Sequence, residues 1–212
     1  IPFAADVQDF SALTFDSVSG DKKTVGQCLT ETYTDGFLVL SRGKVVSELY
    51  FNDMTPATLH LAQSVSKSVV GALTGIIHGE GLLDLYAPLA EIVPELAACG
   101  YGDATLEQVL DMQSGVRFDE TYTSSDSDIA KVDLAAGWRP SPDATKRPSL
   151  REIITGLPKI RPHGEKFEYR SIETDLIAWV LERVTGQGLA DLVSDRIWSR
   201  IGAERDAYFT VD

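Results

Sequence analysis

An α+β fold is predicted by the order in which hydrophobic patterns follow one another along the chain. Two β-rich runs come early, within residues 36–51, and helical spacing dominates after residue 64. Strand and helix patterns do not alternate, which speaks against a parallel sheet built from βαβ units. The chain has 212 residues, 43% of them hydrophobic, and contains no low-complexity tract or internal repeat. That is enough to bury a proper core in one large domain or two small ones.

Residues 1–35 are mixed and polar and carry few signals. The runs 37–40 and 45–50 read as a hairpin around Ser41-Arg-Gly-Lys44, with Gly43 marking the turn. A loop follows at 52–59. From Ser64 onward, Val65, Val69, Ala72, Leu73, Ile76 and Ile77 recur at threes and fours, the period of a helix with one buried stripe. Gly79 and Gly81 supply its stop. Pro88 and Pro94 restrict any helix within 82–96 to short pieces. Thr105-Leu-Glu-Gln108 is a capping box that opens a short helix ending near Gly115. Ser149-Leu-Arg-Glu152 is another, with its helix ending by Gly156.

A helix over 172–184, closed by Gly186, places Leu176, Ile177, Val180, Leu181 and Val184 on one side. A last helix is expected near 189–201, stopped by Gly202. The stretch 116–148 is the loosest region, rich in Asp, Ser, Thr and Pro around Trp138. Such a stretch in a compact domain is a lid or binding loop, or else disordered.

Composition excludes several classes of function. A formal net charge of −13 argues against nucleic acid or an acidic membrane surface as partner. No apolar run of 18 residues exists to span a membrane. Cys28 and Cys99 lack metal-like spacing; a disulfide between them is open but not indicated, which favours a reducing compartment. The start, Ile1-Pro-Phe-Ala-Ala-Asp6, has no basic region followed by an apolar core, so no signal peptide is expected and a cytoplasmic location is. It also lacks an initiator methionine, as a processed or partial product would.

The chemistry-bearing candidate is Ser64-Val-Ser-Lys67. A serine and a lysine three apart at a helix start lie on one face, so the amine can act as the base that makes the serine nucleophilic. The same triplet also occurs at Ser19–Lys22 and Ser41–Lys44, but only Ser64 opens a helix. Burial would partly desolvate Lys67 and lower its pKa toward a useful range. The helix start would add a positive field and free N–H groups suited to an oxyanion. The competing reading takes Ser64 as an ordinary helix cap and Lys67 as a solvated first-turn charge.

A third group is needed for the leaving-group proton, and Tyr169-Arg-Ser171 stands just before the 172–184 helix. A tyrosine beside a lysine can shuttle protons as phenol and phenolate; alone, Tyr169 is also an unremarked aromatic at a helix entrance. There is no Gly-x-Ser-x-Gly elbow, and His60, His78 and His163 have no triad context. His78, on the Ser64 helix, reads as structural. No metal motif and no nucleotide-binding strand–Gly-rich turn–helix unit is present, so no cofactor or metal is expected.

Ser64-Val-Ser-Lys-Ser68, Tyr169-Arg-Ser171 and the run from Glu173 to Gly186 resemble the serine β-lactamase-related hydrolases, with their penicillin-binding DD-peptidases and class C-type esterases. Tyr33-Thr-Asp-Gly-Phe-Leu-Val-Leu40, Val93-Pro-Glu-Leu96, Val109-Leu-Asp-Met-Gln113, Ala136-Gly-Trp138, Arg205-Asp206 and Thr210-Val-Asp212 are similar to the nylon-oligomer (aminohexanoate-dimer) hydrolases. The resemblance runs from about residue 30 to the end.

It implies a β-lactamase/DD-peptidase-like fold: an antiparallel sheet flanked by helices, with a helical subdomain. On that reading 1–55 hold the N-terminal segment and hairpin, 56–170 the nucleophile helix and helical subdomain, and 171–212 the return helices. The C-terminal sheet strands of such relatives, with half the oxyanion hole, would be missing, in a longer protein or a second chain.

The resemblance further implies Ser64 as the acylated nucleophile, Lys67 as its base and Tyr169 as the proton relay. Ser171 would hydrogen-bond within the site, Tyr122 would sit on a closing loop over the scissile bond, and Asp133 would pair with a substrate ammonium. Asp133 as a merely solvated loop carboxylate is the alternative. The implied activity is hydrolysis of linear amides of amino-carboxylic acids and of short-chain esters. Alternatives are β-lactamase or DD-peptidase activity, or a non-catalytic binding or scaffolding relative. The expected partner is a small-molecule amide or ester, and a homodimer is open.

Overall fold

The computed structural model describes residues 3–141 and 147–210. Residues 142–146 of the loose stretch, and 211–212 of the C-terminal motif, lie outside the described residues. The chain forms two compact units, Ile1–Leu61 and Ala62–Asp212.

The first unit is built on the predicted hairpin. Strands β4 (Gly36–Ser41) and β5 (Lys44–Tyr50) pair antiparallel, and Arg42 and Gly43 both take positive φ in the two-residue turn. Such turns match the right-handed twist of the strands they join. The short β1 (Ala4–Ala5) adds to β5 in parallel, giving the order β1-β5-β4. Strands β2 (Thr14–Asp16) and β3 (Lys22–Thr24) form a separate antiparallel pair. They lead into helix α1 (Val25–Glu31), which the polar N-terminal stretch concealed. Its signal is Thr24-x-x-Gln27, a capping box with both reciprocal bonds made.

The second unit is helical, and its hub is α7 (Ile172–Thr185). This helix packs against α2 (Val65–Gly79), α3 (Leu89–Ile92), α4 (Leu106–Leu110), α6 (Leu150–Thr155) and α8 (Leu189–Val193). Leu176, Val180 and Leu181 of α7 share a core with Leu73 and Ile77 of α2, Leu106 and Val109 of α4, and Leu192 of α8. Each such fully buried aliphatic side chain stabilises the fold by about 2 kcal/mol. Both predicted capping boxes, at Thr105 and Ser149, make their two bonds, and Gly186 closes α7 in the left-handed conformation. Pro88 and Pro94 bound α3 and a single 3-10 turn, Pro94–Leu96, as their missing N–H groups require.

Three expectations change. The buried face of α2 is Val70, Leu73, Thr74 and Ile77, while Val65 and Ala72 are exposed. Thr74 can be buried because its hydroxyl bonds the Val70 carbonyl (2.8 Å), a polar partner that a hydrophobic count overlooks. The loose stretch contains a helix, α5 (Asp128–Ala135), capped by Ser127 through Ala130 N–H. Ile129, Val132 and Ala135, three apart, are buried, with Asp128 and Ala130 buried beside them. The last helix starts at Leu189 as expected but passes at Val193 into a π-helical turn, Ser194–Trp198, and so stops three residues before Ile201.

Two glycines are dictated by close approach. A Cβ on Gly100 would lie 2.5 Å from the Lys159 nitrogen. Gly115, at φ 64°, would place one 2.6 Å from the Arg161 carbonyl oxygen. Among the described residues, no helix is long and apolar enough to cross a membrane.

Candidate active site

The site begins with backbone strain. Gln63, immediately before Ser64, has φ +47°, a conformation that L residues with a Cβ avoid and that clusters at functional positions. It turns the chain sharply into α2. Ser64 itself has α-helical angles and makes no side-chain capping bond, so its hydroxyl is not used to start the helix. The capping alternative is thereby corrected: an ordinary cap has extended angles and bonds the second or third N–H.

The Ser64 hydroxyl faces two partners. Lys67 Nζ donates to Ser64 Oγ at 3.1 Å from one turn along α2. Tyr169 OH donates to the same oxygen at 2.6 Å, from a position 105 residues later. Lys67 Nζ also stands 5.2 Å from the centre of the Tyr169 ring, within cation–π range. Lys67 is half-buried and Tyr169 is at the surface, so the three groups form a cluster open to a ligand. Burial pushes the Tyr169 phenol up, but the Ser64 hydrogen bond and the Lys67 charge outweigh it, and the net position is below an ordinary tyrosine.

The expectation of free N–H groups at this helix start is corrected in part. The Val65, Ser66 and Lys67 N–H groups bond the carbonyls of Ala62, Gln63 and Ser64, three residues back. The Ser64 N–H donates to no acceptor among the described residues.

A second cluster lies beside Tyr169. Ser171 donates through its N–H (3.0 Å) and its hydroxyl (2.6 Å) to the two oxygens of Glu120. Tyr122 OH donates to Glu120 Oε1 at 2.5 Å and is 3.5 Å from Ser171 Oγ. Burial pushes the Tyr122 phenol above its ordinary value, and the Glu120 carboxylate adds to the rise. Glu120 thus joins two of the sequence candidates, and sequence reasoning missed it. Its partner Ser171 is 51 residues away, and no local pattern signals such a contact.

Asp133 is placed differently from the other five candidates. It lies on α5 rather than in a loop, half-buried, and its carboxylate accepts from Arg139 Nε at 2.9 Å. Its carbonyl accepts from the Trp138 and Arg139 N–H groups. The solvated-carboxylate alternative therefore gives way to an ion-paired one. Among the described residues, no hydrogen bond links Asp133 to the other five.

The histidines do not offer a rival base. His60 pairs with Asp35 (2.9 Å) and, through its other ring nitrogen, with the Leu61 carbonyl. His163 is held between Asp103 and the Ser114 carbonyl. His78 bonds the Leu83 carbonyl at 2.7 Å, as a structural residue would.

A serine at a helix start, met by a lysine one turn on and by a tyrosine from before a second helix, belongs to a recognised class. The chain is a member of the Beta-lactamase family, whose model matches residues 24–211. It is 40% identical over 186 residues to the 6-aminohexanoate-dimer hydrolase of Paenarthrobacter ureafaciens, covering 88% of this chain and 47% of that protein. It superposes on a Bacillus anthracis structure described as a "Putative 6-aminohexanoate-dimer hydrolase" with a TM-score of 0.90 at 29% identity, covering 100% of this chain and 56% of that one. The octameric penicillin-binding protein homologue of Pyrococcus abyssi shares the fold (TM-score 0.65, 21% identity, 87% of this chain and 43% of that one). The chain thus spans about half the length of the relatives it matches.

The electrostatics of the cluster make a direct prediction. A cation beside a phenol favours phenolate, so removing it must raise the phenol pKa. In Lys67→Ala, the Tyr169 phenol moves up toward the ordinary tyrosine value. Carbon-13 NMR of ring-labelled tyrosine, with Tyr169→Phe to assign the signal, reads this shift. An unchanged or lower midpoint would contradict the geometry.

Proposed function

We propose that this chain carries the acyl-transfer site of a serine hydrolase that cleaves amides or esters through an acyl-enzyme. The observation that carries the reading is one hydroxyl, Ser64 Oγ, within hydrogen-bond reach of both Lys67 Nζ and Tyr169 OH. Lys67 acts as base in its deprotonated form, taking the nucleophile's proton as Oγ attacks the substrate carbonyl. The Ser64 N–H, at the positive end of α2, faces the charge that develops on the carbonyl oxygen.

Collapse of the tetrahedral species breaks the C–N or C–O bond, and the leaving amine or alkoxide takes a proton from Tyr169 OH. The Lys67 ammonium restores that proton. In the second half, water attacks the acyl group, gives its proton to the Tyr169–Lys67 pair, and Ser64 leaves reprotonated. A phenol lowered by Lys67 suits this relay, because it can exist in both protonation states at modest cost.

The proposed substrate class is supported by the relatives and by two further side chains. Linear amides of amino-carboxylic acids are supported by the 40% identity to the Paenarthrobacter ureafaciens 6-aminohexanoate-dimer hydrolase. Short-chain esters belong to the same reading, because an alkoxide leaves more readily than an amine. Tyr122, exposed beside Ser171, would close over the scissile bond, a role its contact with Ser171 supports. Asp133 would receive the substrate ammonium, which would share or displace Arg139.

Two substitutions test these assignments. Ser64→Ala lowers hydrolysis of a p-nitrophenyl ester by at least about 10³-fold, the scale on which loss of a nucleophile is felt; an unchanged rate removes the nucleophile. Asp133→Ala weakens amides that bear a free amine far more than uncharged esters, read as kcat/KM for each. Equal losses on both would sink the ammonium pairing.

A further inference from the structure

The reach of Tyr169 to Ser64 depends on the backbone either side of it, and one segment holds both sides. The Glu168 N–H, one residue before Tyr169, donates to the Met112 carbonyl at 2.9 Å. Arg170, one residue after it, is 2% exposed and turns back to bond the Glu168 carbonyl (3.1 Å) and carboxylate. Glu173, at the start of α7, is fully buried; its Oε1 accepts from Ser114 Oγ and lies 3.9 Å from Arg170 Nη1. Its N–H donates to the Arg170 carbonyl at 3.2 Å. Met112 and Ser114 lie two residues apart in the turn and short segment that follow α4, where Met112 and Gly115 have φ of 54° and 64°. This segment therefore grips the chain one residue before Tyr169 and again four residues after it.

A carboxyl group is an expensive choice for this place in the core. Among the described residues, Glu173 Oε2 and the nearby Tyr101 hydroxyl are buried with no hydrogen-bond partner, so polarity there is not fully repaid by local bonding. A hydrocarbon of the same size would fill the space with no such penalty. What the carboxyl adds is two directed contacts, to Ser114 and to Arg170. Burial pushes it up to about 7, against the pull of Ser114 and Arg170, and Glu120 adds to the rise. The groups facing it are Arg170 from the approach to α7, Ser114 from the gripping segment, Tyr101 from before α4, and Glu120 from the Tyr122 loop.

We propose that Glu173 is a positioning residue for Tyr169: by gripping Ser114 and Arg170 inside the core, it fixes residues 168–171 so that the phenol meets Ser64. The consequence for rate rests on the serine hydrolase reading, but the positioning does not.

The test is therefore made on the phenol itself. Carbon-13 tyrosine NMR of the full chain, assigned with Tyr169→Phe, follows the Tyr169 titration in the wild type, in Glu173→Gln and in Ser114→Ala. Ser114→Ala removes the hydroxyl from which Glu173 accepts, and Glu173→Gln keeps an accepting oxygen but removes the carboxylate that faces Arg170. Ser114→Ala removes only a hydroxyl and keeps the carbonyl that His163 bonds, so it remains informative where Glu173→Gln does not fold.

The expected result is an upward move of the Tyr169 midpoint by about one pH unit in the folded variants, a tenfold change in its protonation equilibrium. Ester kcat falls about tenfold alongside it, with KM nearly unchanged, as loss of a transition-state contact requires. A wild-type midpoint in both folded variants overturns the proposal. So does loss of the fold in both, which would make the carboxyl a matter of stability alone. Because the titration needs no turnover, an inactive wild type would count against the hydrolase reading and leave this result standing.

Discussion

Everything proposed for this chain depends on one hydrogen bond, from Tyr169 OH to Ser64 Oγ, between residues 105 positions apart. No local preference can enforce such a contact; it exists because α2 and α7 share a core. Leu73 and Ile77 on one helix, and Leu176 and Val180 on the other, are buried together. Helix starts are fixed once their axes are fixed, so the packing of four aliphatic side chains sets where Ser64 and Tyr169 meet. Interiors packed at crystal-like density leave little room for that geometry to drift.

The polar groups refine what the core makes approximate. Lys67 is supplied by α2 itself, one turn from Ser64, so the serine–lysine contact is local. Tyr169 is not local and needs additional restraint. It is flanked by Glu168 and Arg170, both tied into bonds, and followed by Ser171, which is anchored on Glu120. The strained Gln63 backbone on the opposite side lifts Ser64 out of a capping role. Strain of this kind persists only where surrounding structure over-determines it.

Legibility in the sequence followed the range of the interaction. The hairpin, the capping boxes at Thr105 and Ser149, the stops at Gly186 and Pro88, and the stripe of α7 are all short-range patterns, and each was readable. Ser64 and Lys67 were readable for the same reason. Helix α5 was hidden because its polar flanks matched a loop by composition, although Ser127 and the three-residue spacing of Ile129, Val132 and Ala135 marked it. Glu120 and Glu173 were beyond reach. Their partners Ser171 and Ser114 lie 51 and 59 residues away, and a glutamate in an acidic chain gives no sign that it is anchored or buried.

The central claim is that Ser64 becomes covalently acylated, and trapping the intermediate tests it most directly. The protein is quenched in acid during turnover of a short-chain ester, weighed intact, and digested to locate the added mass. The account predicts one acyl group on the peptide that contains Ser64, accumulating before steady state and decaying when substrate is spent. Turnover with no covalent species, or with the acyl group on another residue, would contradict it.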